Sequence, residues 1–113
     1  MHYTAVEYLY RDASNYKSWG GVILVGQFST ALEARAKAAF EAEAFFVAKR
    51  VGLPDLREKL LIWSNGRLND DDHEWHELWK IREATQADMS EYPVWGTVEE
   101  FGDALSKSVN GSA

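Results

Sequence analysis

Five carboxylates, two of the three histidines and one tryptophan fall within the eight residues Asp70-Asp71-Asp72-His73-Glu74-Trp75-His76-Glu77. Oxygen and imidazole donors at this density could hold a divalent cation or move a proton. On a helix, His73, His76 and Glu77 would share one face, with Asp70 or Asp72 as a further oxygen ligand. The zincin pattern needs two histidines four apart with a glutamate beside the first, and His73-Glu74-Trp75-His76 is one residue short. On a strand, His73 and Glu77 point one way and His76 the other, which divides the set. The competing account is a solvated acidic turn leading into an aromatic strand. A third is proton transfer or pH sensing, because the three aspartates favour the charged form of His73.

A second polar segment, Arg11-Asp12-Ala13-Ser14-Asn15-Tyr16-Lys17, carries two cations, an amide, a hydroxyl and a phenol. Such a set could hold an anion or a partner's backbone, and loops mounted on rigid strands commonly carry function. The candidate binding residues are Arg11, Asp12, Asn15, Tyr16, Lys17 and the nearby Trp19. The purely structural alternative has Asp12, Ser14 and Asn15 closing the loop on its own amides while Arg11 pairs with a neighbouring carboxylate.

Five tryptophans are many for 113 residues, and a domain of this size cannot easily bury all of them. Trp75 and Trp79 are expected in the core. Trp19 and Trp95, each beside a glycine in a predicted loop, are the expected surface pair. The chain has no cysteine, so disulfides, thiolate metal sites and cysteine nucleophiles are excluded. It has no nucleophile elbow, no Walker loop and no G-x-G-x-x-G, and Gly20-Gly21 is too slight for a phosphate cradle. A net charge of −6 opposes binding to phosphate backbones and favours basic partners, although Lys49, Arg50, Arg57 and Lys59 form one locally positive stretch.

These residues must be positioned by a small fold. Apolar residues make up 46% and charged residues 27% of the chain, ordinary globular usage, so one domain spanning 1–113 with its own core is expected. No window reaches the roughly 20 apolar residues of a membrane span, and Met1 to Glu7 lacks a leader pattern, so the cytoplasm is the expected compartment. Thr4 to Arg11 alternates as a strand, and Gly21 to Phe28, with Val22-Ile23-Leu24-Val25 unbroken, is a second, with 12–20 as the loop between them. Thr30 and Glu33 form a capping box for a helix with Leu32, Ala36, Ala39 and Phe40 on one stripe. Phe45-Phe46-Val47 is a hydrophobic anchor, and Gly52-Leu53-Pro54 ends the element before it. Leu60 to Trp63 could be a strand turning at Asn65-Gly66. Trp75 to Glu83 fits a strand better than a helix. Thr97 and Glu100 cap a last helix through Phe101 and Leu105, fraying from about Ser106. The fold class is α+β: a mainly antiparallel sheet of three to five strands with two helices packed on one face.

Tyr8 to Lys17, Phe45-Phe46 with Val51-Gly52-Leu53-Pro54-Asp55-Leu56, and Asp72-His73-Glu74-Trp75-His76-Glu77 together resemble blocks found, in this order, in a set of small uncharacterised bacterial proteins. The likeness spans about residues 8 to 77. It implies that the 11–17 loop and the histidine block belong to a shared design, with no known activity attached. The function expected from the sequence is therefore a non-enzymatic protein-interaction module of accessory, immunity or anti-defence type, with no cofactor and a protein partner. The alternative is a small hydrolase, metal-assisted by a divalent ion on Asp72, His73, His76 and Glu77, with His73, His76 and Glu77 as its catalytic groups. Arg11 and Lys17 would then orient an anionic substrate.

Overall fold

A computed structural model describes residues 2–11, 17–42, 44–57 and 75–110, the side chains of 108–110 excepted. Strand β1, Tyr3–Arg11, pairs antiparallel with β2, Lys17–Val25, in unbroken register from Tyr3↔Val25 to Arg11↔Lys17. The second strand thus starts four residues before the expected Gly21 and stops at Val25. Ser18 turns inward and Trp19 outward, a period-two pattern that the turn-forming composition of 12–20 conceals. Gly26, at φ +132, leaves the strand with a backbone that other residues rarely adopt.

Helix α1 spans Thr30–Ala39, and its cap is Ser29 rather than Thr30: the Ser29 hydroxyl accepts the Leu32 amide at 3.1 Å. Both residues carry the needed oxygen, and the extended backbone of Ser29 decides which one caps. Ala36 and Phe40 are buried, with Leu32 and Ala39 packed beside them, as the predicted stripe requires. Strand β3, Phe45–Val47, runs into the single turn α2, Ala48–Val51, which Gly52 ends in the left-handed conformation at φ 80. Residues Trp75–Glu83 form strand β4, resolving the strand–helix ambiguity. Helix α3, Gln86–Glu91, was not expected, although Thr85 and Asp88 cap it reciprocally. Strand β5, Val94–Thr97, leads directly into helix α4, Val98–Asn110. The Thr97–Glu100 capping box forms as predicted, each amide donating to the other's side chain at 3.1 Å. The helix continues past Ser106, where fraying was expected.

The strand order is β3-β4-β1-β2-β5, with every pair antiparallel except β2 and β5. The α+β class holds. The five-stranded sheet is mainly antiparallel, as expected, and made mixed by the one parallel pair, while the described residues include four helices rather than two. One sheet face carries Val6, Tyr8, Tyr10, Val22, Leu24, Phe46 and Leu78 into a core closed by α1, α2 and α4 through Ala36, Val51, Phe101 and Leu105. No helix among the described residues is long and apolar enough to cross a membrane. The predicted hairpin at Asn65-Gly66 lies outside the described residues.

The Gly20-Gly21 pair has a packing explanation. A Cβ on Gly20 would lie 2.6 Å from Leu56 Cδ2 on the core side, and one on Gly21 would lie 2.9 Å from both Tyr92 Cε2 and the Val6 carbonyl. The two glycines open the centre of the sheet to a side chain from each side. Gly21→Val is expected to reduce stability by about 2 kcal/mol through overpacking, read as a lower urea midpoint. An unchanged midpoint would show that Tyr92 does not seat against the strand.

Candidate functional site

Alternation along β4 sorts its side chains between the two faces, and one irregularity resets the alternation. Glu7 pairs with Lys80 but Tyr8 pairs with Leu78, so Trp79 is the extra residue of a β-bulge. Before the bulge, His76 and Leu78 enter the core while Trp75 and Glu77 face outward. After it, Ile81 is buried whereas Lys80 and Arg82 face outward. Strict alternation would put Ile81 beside Trp75, Glu77 and Trp79, and the bulge is the reason it is not there.

The outer face has two halves. In one, α3 lies across the sheet and a polar network ties it down. Arg82 donates from Nε to Glu7 at 3.0 Å and from its terminal nitrogens to Asp88 at 2.6 and 2.9 Å, while the Tyr92 hydroxyl donates to Glu7 at 2.9 Å. Hydrogen bonds from Arg82 hold the Asp88 carboxyl well below the usual carboxylate range, and those to Asp88 and Glu7 fix the guanidinium in its charged form. Burial and the Glu7 hydrogen bond push the Tyr92 phenol up to about 12. Both carboxylates share the one guanidinium, so the network anchors α3 to the sheet.

The other half is open and aromatic. The row Phe45↔Glu77↔Leu9↔Trp19 crosses four strands, with Trp75 and Trp79 flanking Glu77 along β4. Leu9 is fully buried, whereas Trp19 is 46%, Phe45 42%, Trp75 37% and Trp79 60% exposed. The Trp19 and Trp79 rings meet edge to face, centroids 5.2 Å apart at 88°, from strands on either side of β1. That contact bridges β1 at the level of Leu9. Arg11 pairs with Glu77 at 3.6 Å, and Lys17, opposite Arg11, shares the face. Exposed aromatic area of this extent, on the order of 400 Å2, matches the largest apolar patch of a typical monomer, which is often functional.

Of the predicted surface tryptophans, Trp19 is exposed, but Trp95 packs edge to face on Phe101 at 5.8 Å and donates from Nε1 to the Gly52 carbonyl at 2.8 Å. Both stand in strands rather than loops. Trp75 and Trp79, expected in the core, are on the surface. Trp75, Glu77 and Trp79 fall at i, i+2 and i+4, which was the available signal, since a polar residue between them marks a wet face. Phe45 was expected to be part of a hydrophobic anchor rather than a surface residue, and Lys80 was not singled out.

Of the predicted binding loop, Arg11 and Lys17 are cross-strand neighbours at the ends of β1 and β2, and Trp19 lies two residues further along the same face. Asp12, Asn15 and Tyr16 lie outside the described residues, as do Asp72 and His73 of the alternative metal and catalytic set. The remaining two members of that set part company. Glu77 faces outward to Arg11, while His76 is 1% exposed among Tyr8, Tyr10 and Phe46. Its Nε2 accepts the Leu56 amide at 3.0 Å, with Asp55 Oδ1 at 3.5 Å. Burial pushes the Asp55 carboxyl up, but hydrogen bonds from Arg57 outweigh it and leave the group below its ordinary range. The Tyr8 hydroxyl donates to the Pro54 carbonyl at 2.7 Å, so two buried side chains fasten the 52–56 segment to the sheet. One ion cannot be shared by His76 and Glu77 from opposite faces. Among the described residues no group of three carboxylate or imidazole side chains could hold a metal.

Compared with protein-family models, with curated proteins and with solved structures, the chain matches none.

Proposed function

We propose that this protein is a non-enzymatic protein-interaction module that binds its partner through the open aromatic half of the sheet, with the 11–20 region at its margin. The observation that carries this is the cluster of Trp19, Trp75, Trp79 and Phe45 on one rigid face, beside the Arg11–Glu77 pair. Tryptophan and arginine dominate interface hot spots because they combine large apolar area with few rotatable bonds and a polar handle. A sheet also holds them in place before binding, so little ordering entropy opposes association.

Affinity capture from native lysate with the wild-type chain should retain a stoichiometric partner that Trp19→Ala plus Trp79→Ala loses, with affinity falling more than about 30-fold for two hot-spot truncations. Both side chains are exposed, so the variant is expected to keep the wild-type circular dichroism spectrum and melting temperature. A partner retained equally by the variant would move the binding surface elsewhere.

A further inference from the structure

Resting on that interaction reading, we infer that the partner segment is an extended acidic peptide bearing bulky apolar side chains, one of which enters a groove at the β3 edge. The aromatic row does not stop at the sheet's edge. Phe45 and Trp75 also line a cavity of about 540 Å3 between the end of α1, β3 and α2, together with Phe40, Val47, Val51 and Arg50, and with Glu41 on the same lining. That volume lies within the range of sites that bury a side chain or a small ligand. The site is therefore elongated. It spans three strand spacings, about 14 Å from β2 to β3, before dropping into the groove. Four or five extended residues cover that distance at about 3.3 Å each, with alternate side chains facing the sheet.

Among the described residues, the charge on this half of the sheet is opposite to that of the whole chain. Although the net charge is −6, the described charged side chains of the open half and its groove are Arg11, Lys17, Lys80 and Arg50 against Glu77 and Glu41. Glu7, Arg82 and Asp88 are locked together on the covered half. A ligand reading the whole molecule would be basic, whereas one seated on this face meets a cationic margin around an apolar centre. Complementarity of that local kind sets register and rejects wrong partners.

Single-stranded nucleic acid is the other polymer that meets aromatics and cations on a sheet, and the geometry disfavours it. Trp19 and Trp79 stand perpendicular, so they offer no continuous platform for successive bases. The Phe45 and Trp75 rings at the groove suit a hydrocarbon side chain, and a net charge of −6 weakens phosphate binding.

The test is selection from a displayed library of random 12-residue peptides against the full chain. Three baits are compared: wild type, Trp19→Ala plus Trp79→Ala, and Lys17→Glu plus Lys80→Glu. Anisotropy with a labelled 30-mer of deoxythymidine runs in parallel. The expected result is enrichment of peptides with net negative charge and at least one Leu, Phe or Trp. Enrichment should fall at least tenfold on the tryptophan variant, and the charge-reversed variant should select neutral or basic peptides instead. Tryptophan-dependent enrichment of basic peptides by wild type would overturn the acidic assignment while leaving the interaction module standing. Tighter binding of the oligonucleotide than of any selected peptide would overturn both. No enrichment over the tryptophan variant would remove this face as a peptide site.

Discussion

Replacing His76 with alanine is expected to cost about 4 kcal/mol, the largest single loss from any described polar residue. Two terms add: the void left among Tyr8, Tyr10 and Phe46, and the Leu56 amide, buried without its acceptor. His76→Phe separates the terms, since it refills the volume but still orphans the amide, and should cost about 2 kcal/mol. Urea unfolding at neutral pH with a chelator present reads both. The chelator matters, because a histidine that stabilised only through a bound cation would show no loss under that condition. Equal stability of His76→Phe and wild type would mean that the hydrogen bond to Leu56 contributes nothing and that 52–56 is held by its other ties, among them the Tyr8 and Trp95 hydrogen bonds to Pro54 and Gly52.

The second large effect is expected from Arg82→Met. Removing the guanidinium leaves Glu7 and Asp88 as neighbouring, largely buried carboxylates without a counter-charge, at a cost of about 3 kcal/mol or more. For a chain of this length that corresponds to a fall in Tm of roughly 12 °C. The pH dependence has a definite sign. The Asp88 carboxyl is held below its ordinary range in the folded protein, so its contribution is fully present above the unfolded value, about 3.9, and is lost as pH falls through the lower folded value. In Arg82→Met the largest of the groups that hold that carboxyl down is gone and only the two Thr85 hydrogen bonds remain. The stability difference between wild type and variant should therefore be full at pH 7 and shrink progressively below about pH 4. A difference as large at pH 3 as at pH 7 would assign the loss to packing of the arginine stem instead.

What the sequence disclosed, and what it hid, follows from the range of the interactions concerned. The Thr97–Glu100 box and the Gly52 stop are local: the groups that meet are within a few residues, so their spacing alone predicts them. The Trp75–Glu83 strand was legible from alternation over its first half, but the bulge at Trp79 depends on where β1 lies beside it, and no reading of β4 alone contains that. The same omission misplaced the tryptophans, because bulk was taken as a measure of burial when strand position decides it. The start of β2 at Lys17 was masked by turn-forming neighbours whose preferences the pairing with β1 overrides. His76 looked like a ligand beside Glu77 only in one dimension. In the folded chain adjacent strand residues serve opposite faces, and the histidine's partner is a backbone amide twenty residues away. Helix α3 has a three-residue capping signal that could have been found, whereas its anchor, Arg82 to Asp88 and Glu7, joins residues far apart in the chain.

The strand order also fixes a sequence of events during synthesis. The two strands at the middle of the sheet are complete once Val25 has emerged, but the neighbour of β1 arrives only with Trp75 and that of β2 only with Val94. Until then the central hairpin has both hydrogen-bonding margins bare, and its Val22-Ile23-Leu24-Val25 run is the kind of unpaired strand that templates aggregation. Neither margin can close by a short loop. Closure waits on long-range contacts, which folds slowly compared with local pairing, so most of the chain must leave the ribosome before its most hydrophobic strand is protected.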